Sequence, residues 1–331
     1  MIRLLPILLL GCGTGGDKGK SGGDSTSVGN GADTWAGILA DQVPGGMFLS
    51  SWNTGDKLIV VGGDLSADTG LIASYDGSSL CTELEVTDGV LWWIDGDASG
   101  WYAVGTHGVI LHEEGGTRTR EDVPTDATLF GVWVDGDTVW AVGGDLATQQ
   151  GEIWRKENGN WTQFQAGLPG LLFKVWDGWI VGDAQAYFWD GVDLIDRAPP
   201  GGPRLLTVRG ATVDDVWAVG GLASPVLMHW TGGEWTTPVL DTTCAQYPLS
   251  GVHVDGEDVW IAGHSGTVSL LQNGEWTCDF PPITAEHFHG VFPFEEEMIW
   301  LGGNLLSVAD SHGTIAVYPN RSPLAEAEEC P

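Results

Sequence analysis

The sequence predicts an all-β fold: a seven-bladed β-propeller of four-stranded blades, its ring closed by a strand from near the N-terminus. Three observations predict it. First, one phrase of apolar strand, acidic turn, second strand and glycine recurs along the chain. Second, the glycine ending that second strand falls at Gly62, Gly105, Gly143, Gly182, Gly220, Gly263 and Gly302, at intervals of 38 to 43 residues. Seven units of that period are the mark of four-stranded blades. Third, the last unit lacks a strand that the N-terminal side of the chain has in surplus. The 51 Gly and 18 Trp fit a fold made of many turns and packed aromatic rings.

Within a unit the strands are named A to D. The clearest A–B copy is Phe130–Val134, turn Asp135-Gly136-Asp137, then Val139–Gly144. Val252-His253-Val254, Asp255-Gly256 and Val259–Gly263 repeat it, and Asp214–Gly221 gives a third copy. Strands C and D are joined by Asp76-Gly77, Asn158-Gly159, Asp190-Gly191, Gly232-Gly233 and Asn273-Gly274. These pairs accept the positive φ that two-residue hairpin turns need. Strand D often opens on tryptophan, as at Trp161, Trp235 and Trp276.

The seventh unit stops after strand C, Thr314–Tyr318, where Pro319 and Pro323 follow. Its missing strand lies at the other end. Thr34-Trp35-Ala36-Gly37-Ile38-Leu39 through Val43-Pro44-Gly45 reads like Asn160–Gly170. Residues 34–43 are therefore expected to complete blade 7, which removes the exposed edges an open stack of blades would leave.

The chain begins Met1-Ile2-Arg3, then an apolar run Leu4–Leu10, then Gly11-Cys12. One basic residue, a short apolar run and a small residue make a secretory signal over residues 1–11. The run is too short to span a membrane, which takes about 20 residues. Residues 12–32 carry no aromatic, Leu or Ile and are expected to form a flexible tether. The propeller is expected over 33–320, with an acidic tail over 321–331.

Leu9-Leu10-Gly11-Cys12 resembles the lipobox of bacterial lipoproteins. That resemblance implies cleavage before Cys12 and lipidation of Cys12. Gly13 stands where enterobacterial lipoproteins held at the inner membrane have Asp, which implies the outer membrane. The expected location is the bacterial cell envelope, with the membrane reached through the lipid anchor alone. Several acyl chains on one Cys give stable anchoring where one does not.

Gly-Gly after strand B, an aromatic in strand C (Tyr75, Trp154, Trp230) and the Trp of strand D resemble the kelch repeat. The Val-Trp-Ala-Val-Gly phrase resembles propeller repeats of bacterial surface lipoproteins. The resemblance covers residues 34–320. It departs from kelch in its shorter period and in units two, four and six, which lack the second Gly. It implies a protein-binding propeller, since kelch-like propellers mostly bind proteins.

The formal charge is −32, from 45 acidic against 13 basic residues. Such a field repels phosphate backbones and disfavours nucleic acid as a partner, while it favours solubility, cations and basic partners. Four cysteines follow the lipobox Cys: Cys81, Cys244, Cys278 and Cys330. In an oxidising compartment they suggest two disulfides, with three connectivities open. Cys244–Cys278 with Cys81–Cys330 is the pairing preferred. No C-x-x-C metal spacing is present.

The Asp95-Gly96-Asp97, Asp135-Gly136-Asp137 and Asp255-Gly256-Glu257 runs lie in A–B hairpins, where Asp and Gly form turns. None has the ligand spacing of an EF-hand. The B–C loops bring Asp64, His107, Asp145, Asp183, His264 and Asn304 toward one mouth of the central channel. These six are the candidate ligand-binding residues. Strand A carries a recurring position, read as Trp52, Trp93, Trp133, Trp176, Arg209, His253 and Phe292. Its aromatics are expected to pack between blades, with Arg209 and His253 meeting the channel.

No G-x-S-x-G, H-E-x-x-H or P-loop occurs, and neither do sialidase Asp-boxes or quinoprotein tryptophan-docking repeats. No cofactor, metal or catalytic residue is expected. The chain reads as a monomeric, non-catalytic envelope lipoprotein, a binding or scaffold module for an envelope or extracellular protein. The alternatives are a glycan-binding surface protein and a propeller hydrolase or lyase of unknown substrate.

Overall fold

Short runs rich in Val, Ile and Trp favour half-buried pleated strands, and the Asp-Gly and Asn-Gly pairs between them turn the chain back at once. The structure, a computed structural model, describes residues 34–83, 88–304, 311–324 and 328–329. The expected signal, the lipidation site Cys12, the tether and Cys330 lie outside the described residues.

Seven sheets form in chain order, each with four strands paired antiparallel. Blade 7 takes its outermost strand from the N-terminal side, β1 (Gly37–Pro44). Blade 1 is β2 (Met47–Asn53), β3 (Leu58–Asp64), β4 (Thr69–Tyr75) and β5 (Leu80–Glu83). Blade 2 is β6 (Leu91–Gly96), β7 (Gly100–Gly105), β8 (Ile110–Glu114) and β9 (Thr117–Arg120). Blade 3 is β10 (Thr128–Asp135), β11 (Thr138–Asp145), β12 (Gln150–Glu157) and β13 (Asn160–Pro169). Blade 4 is β14 (Leu172–Trp176), β15 (Trp179–Gly182), β16 (Ala186–Trp189) and β17 (Leu194–Asp196). Blade 5 is β18 (Leu205–Thr212), β19 (Asp215–Gly221), β20 (Pro225–Trp230) and β21 (Trp235–Thr236). Blade 6 is β22 (Leu249–Asp255), β23 (Asp258–Gly263), β24 (Thr267–Gln272) and β25 (Glu275–Cys278). Blade 7 is completed by β26 (His287–Phe294), β27 (Glu297–Gly303) and β28 (His312–Tyr318). The C–D turns use the expected residues: Asn158 and Gly159 have φ of 51° and 77°, Asn273 and Gly274 51° and 78°.

The ring closes as the sequence predicts. β1 runs antiparallel to β28, with Gly37 opposite Val317 and Pro44 opposite His312. It delivers Leu39, fully buried, into the core shared by blades 7 and 1. Trp35 stacks on Trp260 at 5.8 Å and meets Tyr318 at 4.7 Å. The Asp279 carboxylate accepts the N–H groups of Trp35 and Ala36 at 2.8 and 2.9 Å.

Asp279 follows β25 of blade 6, and other blades repeat this fastening with an indole. Trp161 Nε1 donates to Glu121 (3.1 Å), Trp235 Nε1 to the Arg197 carbonyl (2.7 Å) and Trp276 Nε1 to the Val239 carbonyl (3.1 Å). In each case the acceptor lies just beyond the D strand of the preceding blade. The tryptophan opening strand D therefore packs its ring and ties two blades together at once.

Cys244 and Cys278 form a disulfide within blade 6. Cys81 is also disulfide-bonded, while its expected partner Cys330 lies outside the described residues. The tail does more than the sequence predicts. β29 (Glu328–Glu329) lies parallel to β5, with Glu328 opposite Cys81, and gives blade 1 a fifth strand.

Candidate functional site

Every A strand carries a β-bulge at one equivalent place. In register with the seven marker glycines stand Phe48, Leu91, Leu129, Leu172, Leu205, Leu249 and Phe288. The next residue is the one left out of the ladder: Leu49, Trp92, Phe130, Phe173, Leu206, Ser250 and His289. A bulge re-aims the side chain of its extra residue. Here it turns apolar groups into the ring centre. Leu49, Trp92, Phe130 and Phe173 form one buried cluster, with Leu206 and the loop residues Leu65 and Leu146 against it. Trp92 meets Phe130 at 5.2 Å, and Phe130 meets Phe173 at 5.4 Å. The channel is thus filled by side chains on its B–C side.

Below this layer Trp93 crosses the channel. Its ring lies 5.7 Å from Phe292 of blade 7, 3.9 Å from Lys174 Nζ of blade 4 and 5.5 Å from Arg209 Cζ of blade 5. Gly131, Gly251 and Gly290 hold the level of Trp93 in their own strands and let neighbouring A strands come close: a Cβ on Gly131 would lie 2.8 Å from the Phe173 carbonyl oxygen, and one on Gly251 2.7 Å from the Gly290 Cα. A Cβ on Gly290 would come 2.5 Å from the Phe292 ring.

The third layer surrounds a cavity of about 360 Å³ at the A–B turn face, lined by one equivalent residue from each A strand: Trp52, Asp95, Trp133, Trp176, Arg209, His253 and Phe292. They stand opposite Ile59, Tyr102, Trp140, Trp179, Trp217, Trp260 and Ile299 of the B strands. This corrects the sequence expectation in two respects. Blade 2 contributes Asp95 at this level, with Trp93 one layer deeper, and the aromatics meet the channel as well as their blade neighbours. Counting back from the marker glycine finds the right residue: Asp95 lies ten positions before Gly105, as Trp52 does before Gly62 and Trp133 before Gly143.

The charges around the cavity are unusual for so acidic a chain. Arg209 donates from Nη1 to the Val208 carbonyl at 3.1 Å, and no ion pair joins it to a carboxylate among the described residues. Burial lowers its pKa, and the charge of Asp95 works in the opposite direction. Asp95 accepts the Val134 N–H at 2.8 Å. Burial pushes its carboxyl up to about 6, against the pull of Arg209. His253 is pushed down to about 4 by burial and by Arg209. Lys174 donates to the Phe130 carbonyl at 2.7 Å, and burial with Arg209 drives its pKa far down. His289 sits 2.7 Å from the Leu49 carbonyl through Nδ1, and burial with Lys174 lowers it to about 3. The Ser51 hydroxyl, which borders the cavity, and the Trp93 Nε1 are buried with no hydrogen-bond partner among the described residues.

The six B–C loop candidates sit on the opposite face, each in local contacts. Asp64 accepts the Ser66 N–H and hydroxyl, both at 2.7 Å, and Asp145 accepts the Ala147 N–H at 2.7 Å. His107 Nε2 is 2.9 Å from Asp68 of blade 1. Asp183 holds Arg204 Nε at 2.5 Å, and the His264 ring lies 4.5 Å from His287. The Asn304 N–H donates to the His312 carbonyl at 3.2 Å. Three of the six thus link adjacent blades. No group of three or more His, Cys, Asp or Glu placed to hold a metal occurs among the described residues.

No protein-family model matches the chain, and no curated protein matches it. Solved structures do. YCF48 bound to D1 peptide superposes with a TM-score of 0.62 at 16% identity, covering 87% of this chain and 97% of that one. The WD40 β-propeller domain of Doa1 gives 0.64 at 11% identity, with 88% and 99% covered. YCF48 from Cyanidioschyzon merolae gives 0.61 at 15%, with 85% and 98% covered. At these identities the likeness is one of fold.

Proposed function

We propose that this chain is a non-catalytic binding module that receives a segment of a partner protein at the A–B mouth of its channel, tethered to the cell envelope by a lipid on Cys12. One observation carries the reading: the seven equivalent A-strand residues converge on one solvent-facing cavity rich in aromatic rings. Exposed aromatic surface of this kind, with few charged groups at precise places, is the make-up of a binding pocket. The cavity lining holds a single carboxylate, Asp95, where a glycosidase-type centre needs two. A similar fold binding a peptide, as in YCF48 bound to D1 peptide, and the lipobox-like Leu9–Cys12 support the same reading.

The rings of Trp52, Trp133 and Trp176 at the mouth also favour a second reading, stacking on the faces of a glycan. Cross-linked recovery from intact cells separates the two. The native chain is expected to retain a protein that a Trp133→Ala/Trp176→Ala variant loses. Equal recovery by both would move the site elsewhere. Recovery of no protein, with glycan-array binding that the same variant abolishes, would favour the second reading.

A further inference from the structure

Arg209 poses a chemical question that the fold does not answer. A guanidinium carries five N–H donors and keeps its charge at any ordinary pH. Arg209 uses Nη1 on the carbonyl of its own neighbour, Val208, and faces the cavity. Among the described residues no carboxylate pairs with it. Asp95 feels its charge but is engaged by the Val134 N–H. Ser51, whose buried hydroxyl has no partner among the described residues, also borders this cavity. Sheltered donors of this kind are normally satisfied.

We propose that the cavity takes a carboxylate on an apolar body, the acid seated on the Arg209 fork and the body against the rings of Trp52, Trp133, Trp176 and Phe292. This rests on the reading of the A–B mouth as the binding site. The fork geometry of arginine matches a planar carboxylate with two parallel hydrogen bonds. A phosphate dianion fits less well, because the lining offers one cation and sets the Asp95 carboxylate beside it. The chain as a whole carries −32 and repels polyanions. The surface therefore selects a lone carboxylate, an acidic side chain or a chain terminus, in an otherwise neutral or basic segment.

The test is a titration followed by tryptophan fluorescence, since three indoles line the cavity. The probes are N-acetylphenylalanine, its uncharged amide, the α-amide of N-acetylglutamic acid, phenethylamine and inorganic phosphate. The native chain is expected to bind one of the two acids saturably and the amide at least about tenfold more weakly. Preference between the two acids tells a chain terminus from an acidic side chain. Arg209→Gln is expected to lose that same preference while binding the amide as before, and Arg209→Lys to recover part of it. Equal binding of acid and amide by the native chain overturns the proposal, and this comparison needs no variant to fold. So does tightest binding of phenethylamine, which would make the rings and Asp95 a cation cage, or of phosphate. If no acid binds while a partner protein is still captured through the Trp133 and Trp176 mouth, the carboxylate falls and the binding-module reading stands.

Discussion

Lys174 Nζ stands 3.9 Å from the centre of the Trp93 ring, and the two side chains reach each other across the channel from blades 4 and 2. The amine packs on the electron-rich face of the indole with both groups out of water, where burial also holds its pKa far below the ordinary lysine value. The same amine donates to the Phe130 carbonyl. This pair divides the channel. Toward the B–C loops lie the apolar bulge residues, and toward the A–B turns lies the open cavity with Arg209 at its wall.

Trp93→Ala is expected to destabilise the propeller by about 3–5 kcal/mol, the range for emptying a buried indole site. Trp93 meets residues of blades 4, 5 and 7, so the loss falls on the ring as a whole. Equilibrium urea unfolding measures it. A change within the experimental error would mean that the channel repacks around the vacancy.

Acid should weaken the fold between pH 6.5 and about 4. Burial lowers His253 and His264 to about 4 and His289 to about 3. In that window the unfolded chain binds protons that the folded chain refuses, so stability falls as pH falls. Asp95, raised to about 6, acts in the opposite sense and blunts the slope. Burial is the main cause at both His289 and His253, with Lys174 and Arg209 nearby working in the same direction. Thermal unfolding from pH 7 to 4 should show the decline, and His289→Gln should make it shallower.

Glu121 joins blades 2 and 3. It accepts from Lys156 Nζ at 2.6 Å and Trp161 Nε1 at 3.1 Å, and it lies 3.0 Å from His112 Nδ1. Lys156 is buried and also donates to the Tyr102 hydroxyl at 3.1 Å. Glu121→Ala leaves a sheltered ammonium without its counter-ion, at a cost of about 2–4 kcal/mol after allowance for partial exposure. Glu121→Ala with Lys156→Met should recover part of that loss in urea unfolding. Additive losses would show that the pair is not coupled.

Closure can be tested at Asp279. Asp279→Ala removes the acceptor of the Trp35 and Ala36 N–H groups and is expected to free β1. Hydrogen exchange should then speed up at Gly37–Pro44 well before the blade interiors, since elements held by few contacts open first. Unchanged protection would place the strength of the closure in the Leu39 and Trp35 packing alone.

Much of this was legible in the sequence because propellers repeat their hydrogen-bonding chemistry. The marker glycines lie where strand B meets strand A too closely for a side chain: a Cβ on Gly62 would come 1.9 Å from the Met47 carbonyl oxygen. The strand over residues 34–43 was readable from its likeness to Asn160–Gly170, while the four cysteines alone left three pairings open and Cys244–Cys278 was only the preferred one. The cavity was not. A bulge leaves no residue signature, so Leu49, Phe130 and His289 read as ordinary strand positions. Asp95 was hidden inside an Asp-Gly-Asp turn signal. Arg209 stands eleven positions before Gly220, because its hairpin carries a second irregularity between Gly210 and Thr212.

A photo-crosslinker placed on each face in turn reports whether the partner is received at the A–B mouth. One chain would carry the crosslinker at Val254, beside the cavity, and another at Asp145 on the B–C face. After irradiation of intact cells, a cross-linked protein is expected from position 254 and none from position 145. A product from position 145 alone would contradict it, and would place the site instead among Asp64, His107, Asp145, Asp183, His264 and Asn304.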